Sequence, residues 1–233
     1  MPALALTDHH GLTGAVEFYE ASLKVGIQPI LGLELVVTHN LGRGNLILLA
    51  RDINGWSNLC RLSSAVQSTP QRDPLRGISF ELLNRHSQHL ICLSGGKRGL
   101  VGQLLNINQL DNSLQILTEL KEIFSESLYV ELQWQKPSDS HSIQTLVEMA
   151  QYLDLPLVAS NNVHYLTRRE ASLQRTLTAM RLNTQLHVLP DEKSAPIGSE
   201  FCSSQEMAKR FADYPVALEN TLEIAERCKL ELP

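Results

Sequence analysis

Short apolar runs alternate along the chain with stretches that repeat every three to four residues. Residues 2–7 form an apolar run that predicts a buried strand, closed by the polar cluster Asp8-His9-His10-Gly11. Residues 12–25 place Leu12, Ala15, Val16, Tyr19 and Leu23 on one helical face, with Gly26 suited to the position just past the helix and Pro29 beyond it. The runs 30–37 and 45–51 predict two further strands, and 54–67 a helix. A polar, turn-rich connection follows at 68–77. Beyond it the pattern predicts a short helix at 80–85 and a strand at 89–93 running into Ser94-Gly95-Gly96. Helices at 99–106 and 111–124, a strand at 128–133 and a helix at 141–153 come next. A strand at 156–160 then leads into Asn161-Asn162-Val163-His164.

The remainder reads as helix. The segments 167–182 and 203–214 open with Thr167…Glu170 and Ser203…Glu206, the spacing of capping boxes in which hydroxyl and carboxylate satisfy orphan amides. Pro215 suits the first position of a last helix at 216–228. Residues 183–199 form a loop with Pro190 and Pro196. Strands alternating with helices imply βα units and a largely parallel sheet, with chemistry gathered where strand C-termini converge. The expected organisation is an α/β unit over 1–182, closed by a loop and C-terminal helices over 183–233.

Composition narrows the function classes. The 233 residues are 43% hydrophobic and 19% charged, enough for one sizeable core or two small ones. Mean hydropathy is −0.10, and 13 Gly and 10 Pro exclude collagen-like or low-complexity sequence. The longest apolar run, 46–50, is far short of a membrane span, and no basic-then-apolar leader is visible at the N-terminus. Twenty basic against 25 acidic residues give a net charge of −5 without a basic block, which disfavours sequence-independent nucleic-acid binding by this chain alone. Cys60, Cys92, Cys202 and Cys228 form no CxxC pair, so a reduced, cytoplasmic protein is expected.

Four clusters could carry chemistry. Asp8, His9 and His10 combine carboxylate and imidazole, donors suited to Zn²⁺, Mn²⁺ or iron and to acid–base work. Neighbours on an extended segment point opposite ways, so His9 and His10 are not expected to face one metal. For Asp8, a catalytic role and a plain capping role stand equal. Glu34 interrupts an apolar strand, where a charge must be paired, metal-bound or at the sheet's end. Asn162 and His164 share a face if their segment stays extended, with His164 the better ligand. Ser94 to Gly99 is a plain strand-to-helix turn or, through free amides with Lys97 and Arg98, a phosphate site.

These blocks carry a resemblance. Residues 1–9, Gly14-Ala15-Val16-Glu17-Phe18-Tyr19, Gly26 to Glu34, Leu48-Leu49-Ala50-Arg51, Leu93 to Gly96, Asn161 to Tyr165 and Ala212 to Thr221 are collinear with the PHP (polymerase and histidinol phosphatase) domain of bacterial DNA polymerase III alpha subunits, replicative or error-prone. The resemblance implies a distorted (β/α)7 TIM-like barrel with metals at the strand C-termini. It also implies phosphoester hydrolysis or 3′–5′ exonuclease activity in metal-competent members, and a structural module where the site has decayed. The family's DNA-directed nucleotidyl transfer belongs to downstream polymerase regions.

Carried over residue by residue, the resemblance makes His9, Glu34 and His164 metal ligands. Asn45 stands where the family has His, Gly96 where many members have Cys, and Asn162 where it has Asp. It further implies an N-terminally truncated barrel, starting at the family's second strand, and so without its His-x-His segment. The expectation is weak or absent binding of Zn, Mn or Mg, and a degenerate, non-catalytic module in DNA replication. The alternatives are a metal-dependent phosphoesterase and a binding module for a polymerase subunit. Expected partners are DNA polymerase subunits or the rest of an alpha subunit, with DNA met only through the larger assembly and no membrane.

Overall fold

The structure, a computed structural model, describes residues 1–68, 77–196 and 198–232. Most of the polar connection expected at 68–77 therefore lies outside the described residues. Seven strands form one sheet: β1 (Ala3–His9), β2 (Gln28–His39), β3 (Gly42–Ala50), β4 (Ile78–Ser79), β5 (Leu90–Leu93), β6 (Leu128–Gln133) and β7 (Leu157–Ser160). Their order is β1-β2-β3-β5-β6-β7, with β4 beside the far end of β2. The helices are α1 (Ala15–Lys24), α2 (Ile53–Gln67), α3 (Phe80–Arg85), α4 (Leu100–Asn106), α5 (Leu110–Phe124), α6 (Ser140–Tyr152), α7 (Ala171–Arg181), α8 (Ser204–Arg210) and α9 (Pro215–Arg227). None of them is long and apolar enough to cross a membrane.

The sheet is largely parallel, as expected, with one exception among its longer strands. β3 runs antiparallel to both β2 and β5, while β1-β2 and β5-β6-β7 are parallel. Only Asn40 and Leu41 separate β2 from β3, a link that can close a hairpin but cannot carry a crossover. Gly44 makes room for α4, because a Cβ there would lie 2.1 Å from the Leu100 amide nitrogen. Both capping boxes form: Glu170 takes the Thr167 amide at 2.9 Å, and Ser203 and Glu206 bond each other's amides at 3.3 and 2.8 Å.

Alternation along the strands divides the apolar residues between two layers. Leu33 and Leu48, cross-strand partners with no exposed surface, belong to the outer layer with Leu62 of α2 and Leu117 of α5. Burying each such leucine stabilises the fold by about 1.5–3 kcal/mol. Ile30, Leu49, Ile91, Tyr129 and Val158 face the concave side and pack against Ile224, Ala225 and Cys228 of the α9 region. Asn220 donates to the Leu157 carbonyl at 2.7 Å, Gln28 to the Cys228 carbonyl at 2.8 Å, and the Lys229 amide to the Arg51 carbonyl at 2.9 Å. The last helix thus covers the end of the concave face where the parallel strands begin. The opposite end is left free. β1 and β7 have one sheet neighbour each among the described residues, so the sheet curls into an open half-barrel of the distorted TIM-like kind.

Candidate functional site

The same alternation that faces Ile30 and Leu49 inward also faces Glu34 and Asn45 inward, nearer the free end. His9 is in register with Glu34. Glu34 accepts a hydrogen bond from the Asn45 amide through Oε1, and its Oε2 lies 3.3 Å from His9 Nε2. Burial pushes the Glu34 carboxyl up from its ordinary pKa, against the pull of Asn45 and Arg98. Burial also lowers the His9 imidazole, helped by Arg98 and Arg181 and opposed by Asp8. The lowered imidazole pKa makes His9 the neutral partner of this contact at neutral pH, so the contact is not a full ion pair.

A second buried carboxylate faces the same mouth from β6. Glu131 is 1% exposed. Its Oε1 accepts from Ser160 Oγ and from Gln133 Nε2, the latter at 3.1 Å, while its Oε2 has no partner among the described residues. Burial raises its pKa, partly offset by those hydrogen bonds, and the nearby Glu34 charge raises it further. The sequence reading passed over Glu131 and Gln133, although their spacing of two within an apolar strand is the signal that singled out Glu34.

Between these two carboxylates the chain turns through Gly95 and Gly96, both with positive φ (84° and 53°). A Cβ on Gly96 would fall 2.2 Å from the Gln133 side chain, so the Gln133 amide fills the space a side chain at Gly96 would need. Lys97 and Arg98, which follow, part company. Lys97 Nζ bonds Asp139 at 2.6 Å and Gln135 at 3.3 Å, which engages its charge, whereas Arg98 reaches the mouth.

Asp139 is 6% exposed and also accepts the Gln135 and Lys136 amides at 3.0 and 2.9 Å. Burial pushes its pKa up, but Lys97 and the two amides outweigh that and hold it below the usual carboxylate range. Its stabilisation is fully present above the ordinary carboxylate pKa and is lost as pH falls through the lowered one. Asp139→Asn is expected to lower the unfolding free energy at pH 7 by about 1–3 kcal/mol, and to flatten the acid limb of stability against pH, read by urea titrations at several pH values.

The remaining sequence candidates fall out as follows. His164 joins His9 and Arg98 in the wall of one cavity. Burial, then Arg98, His9 and Arg181, lower its pKa to about 4, and its Nε2 is buried without a partner among the described residues. The extended segment on which Asn162 and His164 were to share a face is broken: Asn162 has a φ of 47°, and the Asn161 side chain before it bonds the Gly198 and Glu200 carbonyls at 2.9 and 2.7 Å. Asp8 faces the outer layer, where a Cβ on Gly14 at the start of α1 would lie 3.4 Å from its Oδ2. His10 does not point opposite to His9 as expected of an extended pair. Its φ of 57° ends the strand, and the two rings stand 6.1 Å apart.

The donor set does not make a metal centre as it stands. Both Glu34 oxygens are engaged, the Gly96 position supplies no side-chain donor, and the charges of Arg98 and Arg181 reach His9 and His164. Among the described residues, no three His, Cys, Asp or Glu side chains converge enough to hold one metal ion.

Comparison with known proteins gives the site its context. The PHP domain family matches residues 1–135. The DNA polymerase III subunit alpha of Rickettsia bellii is 32% identical over 98% of this chain, which covers 20% of that protein. The same subunit of Pseudomonas aeruginosa is 31% identical over the whole chain and 20% of its own length. The error-prone DNA polymerase of Symbiobacterium thermophilum is 33% identical over 98% of this chain and 22% of its own. The chain therefore spans about a fifth of the length of these curated relatives. A match over more than half of its residues, on a half-barrel with polar groups at the strand ends, makes this chain a member of the PHP domain family.

Proposed function

We propose that this chain is the PHP module of a DNA polymerase III alpha-type protein and serves DNA replication as a structural element, without hydrolysing phosphoesters. The observation that carries the reading is the plug at the mouth. Gln133 occupies the space before Gly96, while His9 and Asn45 hold both oxygens of Glu34. A hydrolytic centre needs anionic and imidazole donors free to bridge metals and to position water. Here the donors are engaged with one another. Zn, Mn or Mg would bind weakly or not at all. The partners are the rest of an alpha subunit or other polymerase subunits, DNA is met through that assembly, and the protein works in the cytoplasm. The similarity to alpha subunits across nearly the whole chain supports that placement.

The test combines metal analysis with turnover. Purified protein is dialysed against Zn²⁺ or Mn²⁺, freed of excess ion, analysed by mass spectrometry for metal, and assayed on a phosphate monoester and on single-stranded DNA. The expected result is a small fraction of one metal equivalent and no metal-dependent turnover. Stoichiometric metal with turnover lost in His9→Ala would overturn the reading in favour of a phosphoesterase or 3′–5′ exonuclease. His164→Ala is expected to leave the residual rate unchanged and to move the thermal midpoint only slightly, since it removes a buried nitrogen that has no partner among the described residues.

A further inference from the structure

A groove of about 1150 Å³ runs between α4, α6 and α7, and its lining includes none of His9, Glu34 and His164. Glu131 and Gln133 of β6 form its floor. Leu105 of α4 with Ile143 and Leu146 of α6 give it an apolar wall. Lys97, Arg98, Lys136 and Arg175 bring positive charge to it.

Among the described residues three carboxylates line the groove, and two of them are engaged. Asp139 holds Lys97 and two backbone amides, and Asp191 holds Arg175 at 2.9 Å. Glu131 is the third. It is 1% exposed, and its Oε2 has no partner among the described residues. A carboxylate oxygen withdrawn from water without a donor is costly, and Glu34 adds a charge of like sign nearby. A ligand that brings an ammonium group to this oxygen offsets both penalties at once. The cations sort in the same way. Lys97 and Arg175 are paired as above, and Arg98 donates to the Ser194 carbonyl at 2.9 Å. Lys136 forms no ion pair among the described residues, so its charge is open to an anion.

We propose that this groove binds a zwitterion of the ω-amino carboxylate class, its ammonium group on Glu131 Oε2, its methylene chain along Leu105, Ile143 and Leu146, and its carboxylate towards Lys136. An alkyl stem between two charged ends suits a site that is acidic at the floor, apolar along one wall and cationic at the rim. A lysine at the C-terminus of a peptide carries the same pair of charges as a free ω-amino acid. This goes beyond the structural role proposed above, which stands whether or not the groove is filled.

Isothermal titration at pH 8 tests it, with 6-aminohexanoate as the probe and hexylamine and hexanoate as its singly charged counterparts. The expected result is saturable binding of 6-aminohexanoate that is tighter than that of either counterpart. Glu131→Gln weakens it about tenfold or more, while a cooperative urea unfolding curve shows that the variant is folded. Lys136→Gln weakens 6-aminohexanoate and leaves hexylamine unchanged, a split that a general loss of structure would not produce. Tighter binding of acetyl-glycyl-lysine than of 6-aminohexanoate assigns the groove to a peptide C-terminus, and weaker binding assigns it to a free amino acid. Absence of saturable binding at about 10 mM 6-aminohexanoate, equal binding of hexanoate or hexylamine, or equal affinity in Glu131→Gln overturns the proposal.

Discussion

Gly95→Ala is expected to be among the most damaging single substitutions in the chain, lowering the unfolding free energy by about 2–5 kcal/mol. Two separate penalties meet there. The residue holds φ at 84°, where an L side chain is strained, and its Cβ would fall 1.9 Å from the Asn45 carbonyl oxygen. That oxygen is backbone in a buried strand and cannot swing aside as a lysine tip would. Two other glycines separate the penalties. Gly26 has φ 71° with nothing within 4 Å of a built Cβ, so Gly26→Ala carries strain alone, about 1–2 kcal/mol. Gly44 has no positive φ but meets the Leu100 backbone at 2.1 Å, so Gly44→Ala carries the clash, about 1–3 kcal/mol. Urea midpoints followed by far-ultraviolet circular dichroism should fall in the order wild type, Gly26→Ala, Gly44→Ala, Gly95→Ala. Equal midpoints for Gly95→Ala and Gly26→Ala would refute the clash. Against a typical total of about 5–15 kcal/mol, the largest of these losses approaches unfolding.

Glu131→Gln is expected to do the opposite at neutral pH. The wild-type carboxyl is raised by burial and by Glu34, so the folded state binds its proton more tightly than the unfolded chain does. Above the raised pKa the fold must hold an ionised group out of water, and that penalty disappears as pH falls towards the unfolded value. Gln is neutral throughout and matches the protonated acid in shape. The variant should gain on the order of 1–3 kcal/mol over wild type at pH 8 and close to nothing at pH 4.5. Unfolding titrations at the two pH values decide it. A gain of the same size at both would show that charge is not the cause, and a loss at both would show that the Oε1 hydrogen bonds outweigh it.

Much of this architecture can be read from the chain. The strand over 128–133 and the short helix over 80–85 coincide with β6 and α3, because apolar runs of that length bounded by turn residues leave little choice. Asp52 is the helix cap the reading overlooked: its Oδ1 accepts the Asn54 and Gly55 amides at 2.8 and 3.0 Å. The β2–β3 hairpin escaped because Thr38, His39 and Gly42 to Gly44 look like loop, although they continue the ladder. Strand parity is predictable only while the backbone stays extended. It holds through His9 and fails at His10 and Asn162, both left-handed. Arg181 illustrates a different limit. It lies 172 residues from His9 on a helix of unremarkable pattern, and nothing local announces that folding brings their fields together.

The position of α9 has a consequence for biosynthesis. Gln28 and the Cys228 carbonyl it bonds are 200 residues apart. At about 5–20 residues per second, the ribosome delivers the second of them roughly 10–40 s after the first. Through that interval Ile30, Leu49 and Ile91 lack the helix that shields them. The nascent polypeptide therefore presents a sticky concave patch that a chaperone can hold until translation brings the cover.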